Sequence, residues 1–527
     1  MMRIVILLWM VGGTVLFAQD ILDGVRYATT NLTGTARSLA LGNAMTAFGP
    51  DPGAIAVNPA SAGMYRSNYF AISPSLQFIF SSSEFLNETA SSPRTNFNIS
   101  NLSFILFNPI YENYRQRTLK EKGFKSWSLA ISYNNIANFH QYISTTGFND
   151  KNSISYFFAS ATNGIHYADI NSQGGSSGNE FVTSYPYAYL GWYAYFIDTV
   201  TSSNPTSYVP VVKDGNITQT FKEERRGKNG EWSIAFGGNW SDRVYIGVGL
   251  NIRDLNLSYE RTYVEEDDKH LHDRYNPALD QYDIQRLTHK ERIDVSGTGI
   301  NGSIGIILQP NDLIRFGLSV KTPTVVSVQD RYVLSSESKW DDGQVFSAEV
   351  PEITARYIVT TPFELTAGIA FLIEDFLLLT TDGGINDYTQ IRFSGSGTSF
   401  NDLNSTITDY LTTSYFGRLG AELRIEQFYL RAGGGYHSPY YSSVGSTYYD
   451  MDGKKKQLST ETIFLSGGFG VTFENVFFDL CFFRSINREK FLIYSFDYDR
   501  YPNASPAPTL VNKRALNNIA FSIGFRM

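Results

Sequence analysis

Residues 418–433 constrain the fold more than any other stretch of the chain. Leu419, Ala421, Leu423 and Ile425 interleave with Arg418, Gly420, Glu422 and Arg424. Glu426-Gln427 follow, and then Phe428, Leu430 and Ala432 interleave with Tyr429, Arg431 and Gly433. Strict alternation gives a strand one apolar and one charged face. A soluble sandwich would turn the charged face to water. An outer-membrane barrel turns the apolar face to lipid and the charged face to the lumen, with short periplasmic turns and long extracellular loops.

The whole chain carries this rhythm. Alternation predicts 14 strands, the first over Asn68–Phe80 and the last ending at the C-terminus with Ile519, Phe521, Ile523 and Phe525 facing one way. Gaps after even strands are short: Ser241–Arg243, Gln309–Asp312, Glu374-Asp375, Glu426-Gln427 and Glu474-Asn475. Gaps after odd strands are long, near 82–94, 143–229, 260–283, 330–352, 394–405, 441–459 and 495–514. One gap, 107–124, breaks the parity. A membrane barrel explains this parity and a soluble β-protein does not. A final strand must pair with the first, because an open edge cannot face lipid.

Residues 1–18 read as a secretory signal peptide: Arg3 is the basic start, Ile4–Phe17 the apolar core, and Ala18 the residue before the cut. Aromatic residues make up 15% of the 527 residues, which suits girdles at the two bilayer interfaces. Charged residues make up 18%, below the ~25% of ordinary globular domains. The net charge of −8 argues against a nucleic-acid partner. The lone Cys481 lies in a strand pattern and reads as a small buried or lumen-facing residue.

Residues 19–66 do not alternate and are rich in small side chains, which suits a plug in a narrow lumen. The stretch GTARSLALGNAMTAFGPDPGAIAVNPA resembles the N-terminal hatch of the FadL family of outer-membrane transporters, in the branch found in Bacteroidetes-type bacteria. Asn58, Pro59 and Ala60 match that hatch's Asn-Pro-Ala motif. Gly317–Pro323, Thr361–Leu365 and the hairpin RLGAELRIEQFYLRAGGGYHSP resemble later strands of the family. The resemblance implies a barrel over 67–527, plugged by a hatch, that passes hydrophobic molecules such as long-chain fatty acids. It implies hatch movement and lateral exit beside an inward-kinked third strand. Ser61 departs from the family pattern, where a glycine is usual.

Tyr185, Tyr187, Tyr189, Trp192 and Tyr193 crowd the third long loop. They read either as a landing site for an apolar ligand or partner protein, or as the core of a self-packed loop. Arg418, Arg424 and Arg431 are lumen charges that could meet a carboxylate, or form an ion-pair ladder that stiffens the lumen. His270 and His272 among Glu265–Asp268 and Asp273 read as a solvated acidic loop. Lys454–Lys456 suit anionic lipid headgroups. No motif calls for a metal, a cofactor or an enzymatic site. The expected partners are outer-membrane lipid and a hydrophobic small molecule. The rival reading is a structural or accessory barrel, its lumen sealed, in a larger outer-membrane complex with protein or lipoprotein partners.

Overall fold

The computed structural model describes residues 20–527, apart from 31, 114, 116–117, 173–178, 202–203, 273–283, 375, 397–398 and 502–503. The expected signal peptide, Asp273 and Asp375 lie outside the described residues. Fourteen antiparallel strands form one closed barrel. They are β1 (Tyr69–Phe85), β2 (Glu88–Pro109), β3 (Phe124–Asn138, resuming at Gln141–Asn149), β4 (Ile217–Trp240), β5 (Val244–Glu266) and β6 (Ile284–Leu308). Next come β7 (Ile314–Lys321, resuming at Val325–Trp340), β8 (Val345–Thr360, resuming at Glu364–Ile373) and β9 (Leu377–Asp387, resuming at Arg392–Ser394). The last are β10 (Thr413–Ile425), β11 (Phe428–His437), β12 (Thr462–Phe473), β13 (Val476–Leu492) and β14 (Thr509–Arg526). β14 closes on β1, with Tyr69 opposite Arg526 and Phe80 opposite Ala515. Closure leaves no open sheet edge for lipid to face.

An apolar band circles the outside. Trp232, Ile234, Phe236 and Trp240 on β4 are exposed, as are Ile246, Val248, Leu250 and Ile252 on β5, and Leu419 and Leu430 on β10 and β11. Above this band the outward residues of β4–β8 turn polar, and the wall continues past the bilayer. This shortens the expected loops. The gap expected at 82–94 is a tight turn at Leu86-Asn87, both with positive φ, and the gap at 330–352 shrinks to 341–344. Alternation was lost to view there because both faces of those strands carry polar residues. The 143–229 interval narrows to 150–216, since β3 and β4 pair through Gln141–Asn149. The exceptional gap at 107–124 holds a small periplasmic hairpin, Tyr111–Asn113 with Thr118–Leu119.

Candidate functional site: a plugged lumen with a seam in its wall

Two helices, α1 (Ile21–Ala28) and α2 (Ala36–Ala40), and a 3₁₀ turn at Pro59–Met64 place the N-terminal segment inside the barrel. Asp20 caps α1, with Asp23 returning the bond. Val25 and Tyr27 bury their side chains among Leu255, Leu257 and Tyr259 in the upper lumen. Lower down, at the level of the lipid band, the plug backbone lies directly on the wall. Glycines make that approach possible. A Cβ on Gly237, Gly247, Gly317 or Gly433 would overlap plug backbone at Gly63, Pro59, Thr46 and Gly42. One on Gly468 would lie 2.6 Å from the Ala40 Cβ. The wall glycines of β4–β12, unremarkable singly, form a belt fitted to the plug. That belt is the signal sequence reading passed over.

Polar groups fix the plug within this belt. Arg37 donates to Glu422 at 2.8 and 2.6 Å. Glu422 also accepts from Arg431 at 2.6 Å, and Arg431 donates to Asp479 at 2.6 Å. Thr46 donates its backbone N–H and its hydroxyl to Asp382 at 2.9 and 2.8 Å. Arg315 donates to the Phe48 carbonyl at 2.6 Å. Asn58 accepts from the Ala60 N–H at 3.0 Å and donates to the Thr46 carbonyl at 2.7 Å. Pro59 and Ala60 occupy the first positions of the 3₁₀ turn that Asn58 caps. Ser61, the departure from the family pattern, is fully buried there.

The three arginines thus have different places. Arg431 is buried in the plug network, and Arg418 is buried with its guanidinium over the Phe416 ring. Arg424 shares the face of Arg418 and Glu422 but lies at the end of the strand. It stands exposed at the periplasmic end of β10, donating to the Glu426 carbonyl at 3.1 Å. The reason is length: the strand leaves the plug level before reaching residue 424.

Helices α3 (Ser155–Thr162), α4 (Tyr167–Ser172), α5 (Asn179–Ser184) and α6 (Pro186–Tyr193) and a hairpin, Ile197–Thr201 with Asn204–Pro210, form a cap in the extracellular mouth. Its core joins Phe158, Leu190 and Phe196 to inward residues of the wall such as Ile284, Leu334 and Val350. Tyr185, Tyr187, Tyr189, Trp192 and Tyr193 pack against this core, each half-buried. Tyr187 donates to Glu291 at 3.2 Å and Trp192 to Asn171 at 2.7 Å. Burial alone would raise the Glu291 carboxyl, but His289 and Arg261 hold it down at about 2. Glu223 above the band is likewise pushed up by burial and pulled down to about 2 by Arg225 and Arg261. The mouth is closed by a charged and aromatic lid as well as by the plug.

One part of the wall is unbonded. The lower piece of β3 pairs with β2 over Asn101–Pro109, while its upper piece, 141–149, pairs with β4 alone. β2 over 88–100 pairs with β1 alone. Between them β3 kinks inward at Phe139-His140. Gln141 consequently reaches Glu489 on β13 at 2.8 Å, across the positions of β14, β1 and β2. The lumen beside this seam is rich in amides: Asn138 binds Gln77, and Gln77 pairs in register with Asn518. Among the described residues the buried Oδ1 of Asn518 and Nδ2 of Asn98 have no hydrogen-bond partner. A polar cavity of about 20 Å³ lies between Thr30 of the plug and Arg253, Lys321, Thr361 and Glu364 of the wall. Among the described residues no group of His, Cys, Asp and Glu is arranged to hold a metal.

No family profile matches the chain, and no curated protein does. Solved structures share its architecture. A variant of the monoaromatic hydrocarbon channel TodX is 11% identical with a TM-score of 0.51, over 94% of this chain and 98% of that one. The Pseudomonas putida toluene transporter TodX itself is 12% identical with a TM-score of 0.48, over 95% of this chain and 100% of that one. A Pseudomonas aeruginosa FadL homologue is 10% identical with a TM-score of 0.49, over 95% and 99%. With its lipid-facing band, closed wall and N-terminal plug, the chain has the fold of the FadL-type outer-membrane channels.

Proposed function

We propose that this protein is an outer-membrane channel for hydrophobic small molecules, of which long-chain fatty acids are one class, and that residues 19–66 act as its movable hatch. The observation that carries this reading is the seam between β2 and β3 beside a lumen closed above and below. A molecule in the lumen has there a sideways route into the membrane that breaks no strand pairing. The plug contacts support a hatch role for Asn58, Pro59 and Ala60, since one side chain, Asn58, ties the turn to Thr46. The amide-rich lining beside the seam fits an amphiphile with a polar head. The half-exposed rings of Tyr185, Tyr189 and Trp192 offer a first contact for it. The rival reading, a sealed accessory barrel within a larger complex, draws support from the packed cap and the small lumen cavity. Native mass spectrometry of protein extracted in mild detergent from its own membrane separates the two. A monomer carrying a co-purified fatty acid or similar lipid is expected. A stable hetero-complex with an empty lumen would overturn the channel reading.

A further inference from the structure

The outer surface of β13, β14 and β1 carries a charge arrangement that the channel reading does not use. Leu480 and Phe482 of β13 face lipid, while Cys481 and Phe483 face inward. By the same alternation Arg484 and Arg488 point outward, and both are exposed. On β14 the exposed Lys513 lies directly opposite Arg488 in the strand register, and Ser82 of β1 lies on its other side. Two like charges placed opposite each other across a strand pair repel. None of the three cations has a carboxylate within ion-pairing distance among the described residues. The acid on the adjoining outer face of β1 is Glu84, two residues above Ser82.

The height of this cluster is equally specific. Arg484, Arg488 and Lys513 lie just beyond Phe482 on β13 and Phe80 on β1, at the upper edge of the band, where Leu465 of β12 still faces outward opposite Arg484. Above them hangs a hairpin, Thr447–Tyr449 with Lys455–Gln457, tied to β13 by Lys490, which donates to the Gly445 and Thr447 carbonyls at 2.6 and 2.8 Å. A groove of about 140 Å³, lined by Glu84, Tyr448, Lys456 and Val511, separates hairpin from wall. Within the lysine run, Lys454 pairs with Asp452 and Lys456 with Asp450, while Lys455 is exposed. On the opposite wall Arg226 pairs with Glu224, and Arg292 with Asp294 and Glu260, while Arg331 and Arg356 stand apart without facing another cation across the register. Two cations placed opposite each other across a strand pair, at the headgroup level and without a carboxylate partner, match a phosphorylated lipid.

We infer that Arg484, Arg488 and Lys513, with Lys455 above them, form a binding surface for the phosphate groups of an outer-leaflet lipid. The phosphate sits between Arg488 and Lys513 and relieves their repulsion. The acyl chains lie on the apolar band below. Bound lipid then steadies β14 against β1, the pair that closes the barrel.

The test is a titration of the full-length protein in mild detergent with diphosphorylated lipid A, read by native mass spectrometry. The variant R484Q/R488Q/K513Q is expected to bind lipid A at least roughly tenfold more weakly. The single variants R488Q and K513Q are each expected to show part of that loss. The variant R292Q/R331Q/R356Q, which removes three exposed cations from the opposite wall, is expected to bind like the parent. Heat-modifiable mobility on SDS gels verifies a folded barrel in each case. Equal affinity for the parent and the R484Q/R488Q/K513Q variant overturns the proposal, as does an equal loss in the opposite-wall variant. Displacement of lipid A by millimolar inorganic phosphate also overturns it, because the surface would then be a free-anion site.

Discussion

Arg37 is a plug residue whose charge is answered by the wall, and its removal has a calculable effect. In Arg37→Met the guanidinium over the Phe48 ring is lost, and Glu422 loses two of its three charge-assisted hydrogen bonds. Two carboxylates, Glu422 and Asp479, then share Arg431 alone. Breaking a buried pair by removing one partner costs about 3–5 kcal/mol. The Arg37 side chain keeps 24% of its exposure and Glu422 only 7%, which places the cost at the low end, about 3 kcal/mol. That corresponds to a roughly hundredfold rise in the open population of the plug. Hydrogen exchange reads it directly. The amides of Leu39, Leu41 and Ala44, bonded within the plug, are expected to exchange about a hundredfold faster, while ladder amides of β10–β12 are unchanged. Arg37→Met/Glu422→Met removes the uncompensated carboxylate and restores at least half of the protection. An exchange rate within about threefold of the parent, or equal loosening of the barrel ladder, would refute the reasoning.

The glycine belt predicts that Gly247→Val unseats the turn at Asn58–Met64, seen as protease access to that segment, whereas Gly417→Ala, which meets open space, leaves it protected. Asn58→Ala removes the cap of that turn and the tie to Thr46, and is expected to destabilise the seated plug by about 1–3 kcal/mol, measurable by exchange of the Ala60 amide. The cap should respond to acid in a defined window. Glu223 and Glu291 are held at about 2, so the stability they confer is complete above the ordinary glutamate range and is lost as pH falls from about 4.5 towards 2. Proteolysis of residues 150–215 by an acid protease is expected to accelerate across that window, and Glu291→Gln to flatten the response by removing the charge that faces Arg261 and His289.

Strand number, closure and the sidedness of the turns were legible because lipid imposes a period of two on one face of every strand. The same rule explains what was missed. Where β7 and β8 rise above the band, residues such as Ser335, Glu337 and Lys339 face outward among polar neighbours, so the alternation dissolves and a strand reads as a loop. The interruptions at Thr322–Thr324 and Thr361–Phe363 mark that boundary, and their prolines were visible without their meaning. The plug was legible by its small residues, but its fit was not, since the complementary glycines are spread from residue 237 to residue 468. Alternation puts Arg418 and Arg431 on the inward face, where the structure buries both. Arg424 shows its limit: the period fixes the face of a strand and leaves the depth open.

Depth also ranks the ways out of the lumen. Leaving downward requires unseating a plug held by the Arg37–Glu422 pair, the two Thr46–Asp382 bonds and backbone contact along the glycine belt. Leaving upward requires parting the cap from the wall, which exposes the apolar core around Phe158 and Phe196 and strips Glu291 of Tyr187. Leaving sideways between β2 and the upper piece of β3 breaks no backbone ladder, because residues 88–100 and 141–149 are bonded only to their outer neighbours, β1 and β4. The contacts across it are between side chains: Asn138 with Gln77, Gln141 with Glu489, the Arg94–Glu224 ion pair at 2.7 Å, and the apolar packing of Phe85 and Leu86 beside Ile143 and Gly147. Among the described residues the seam is thus the place where the wall can part without breaking a backbone ladder, and that follows from the hydrogen-bond pattern of the wall without reference to any particular ligand.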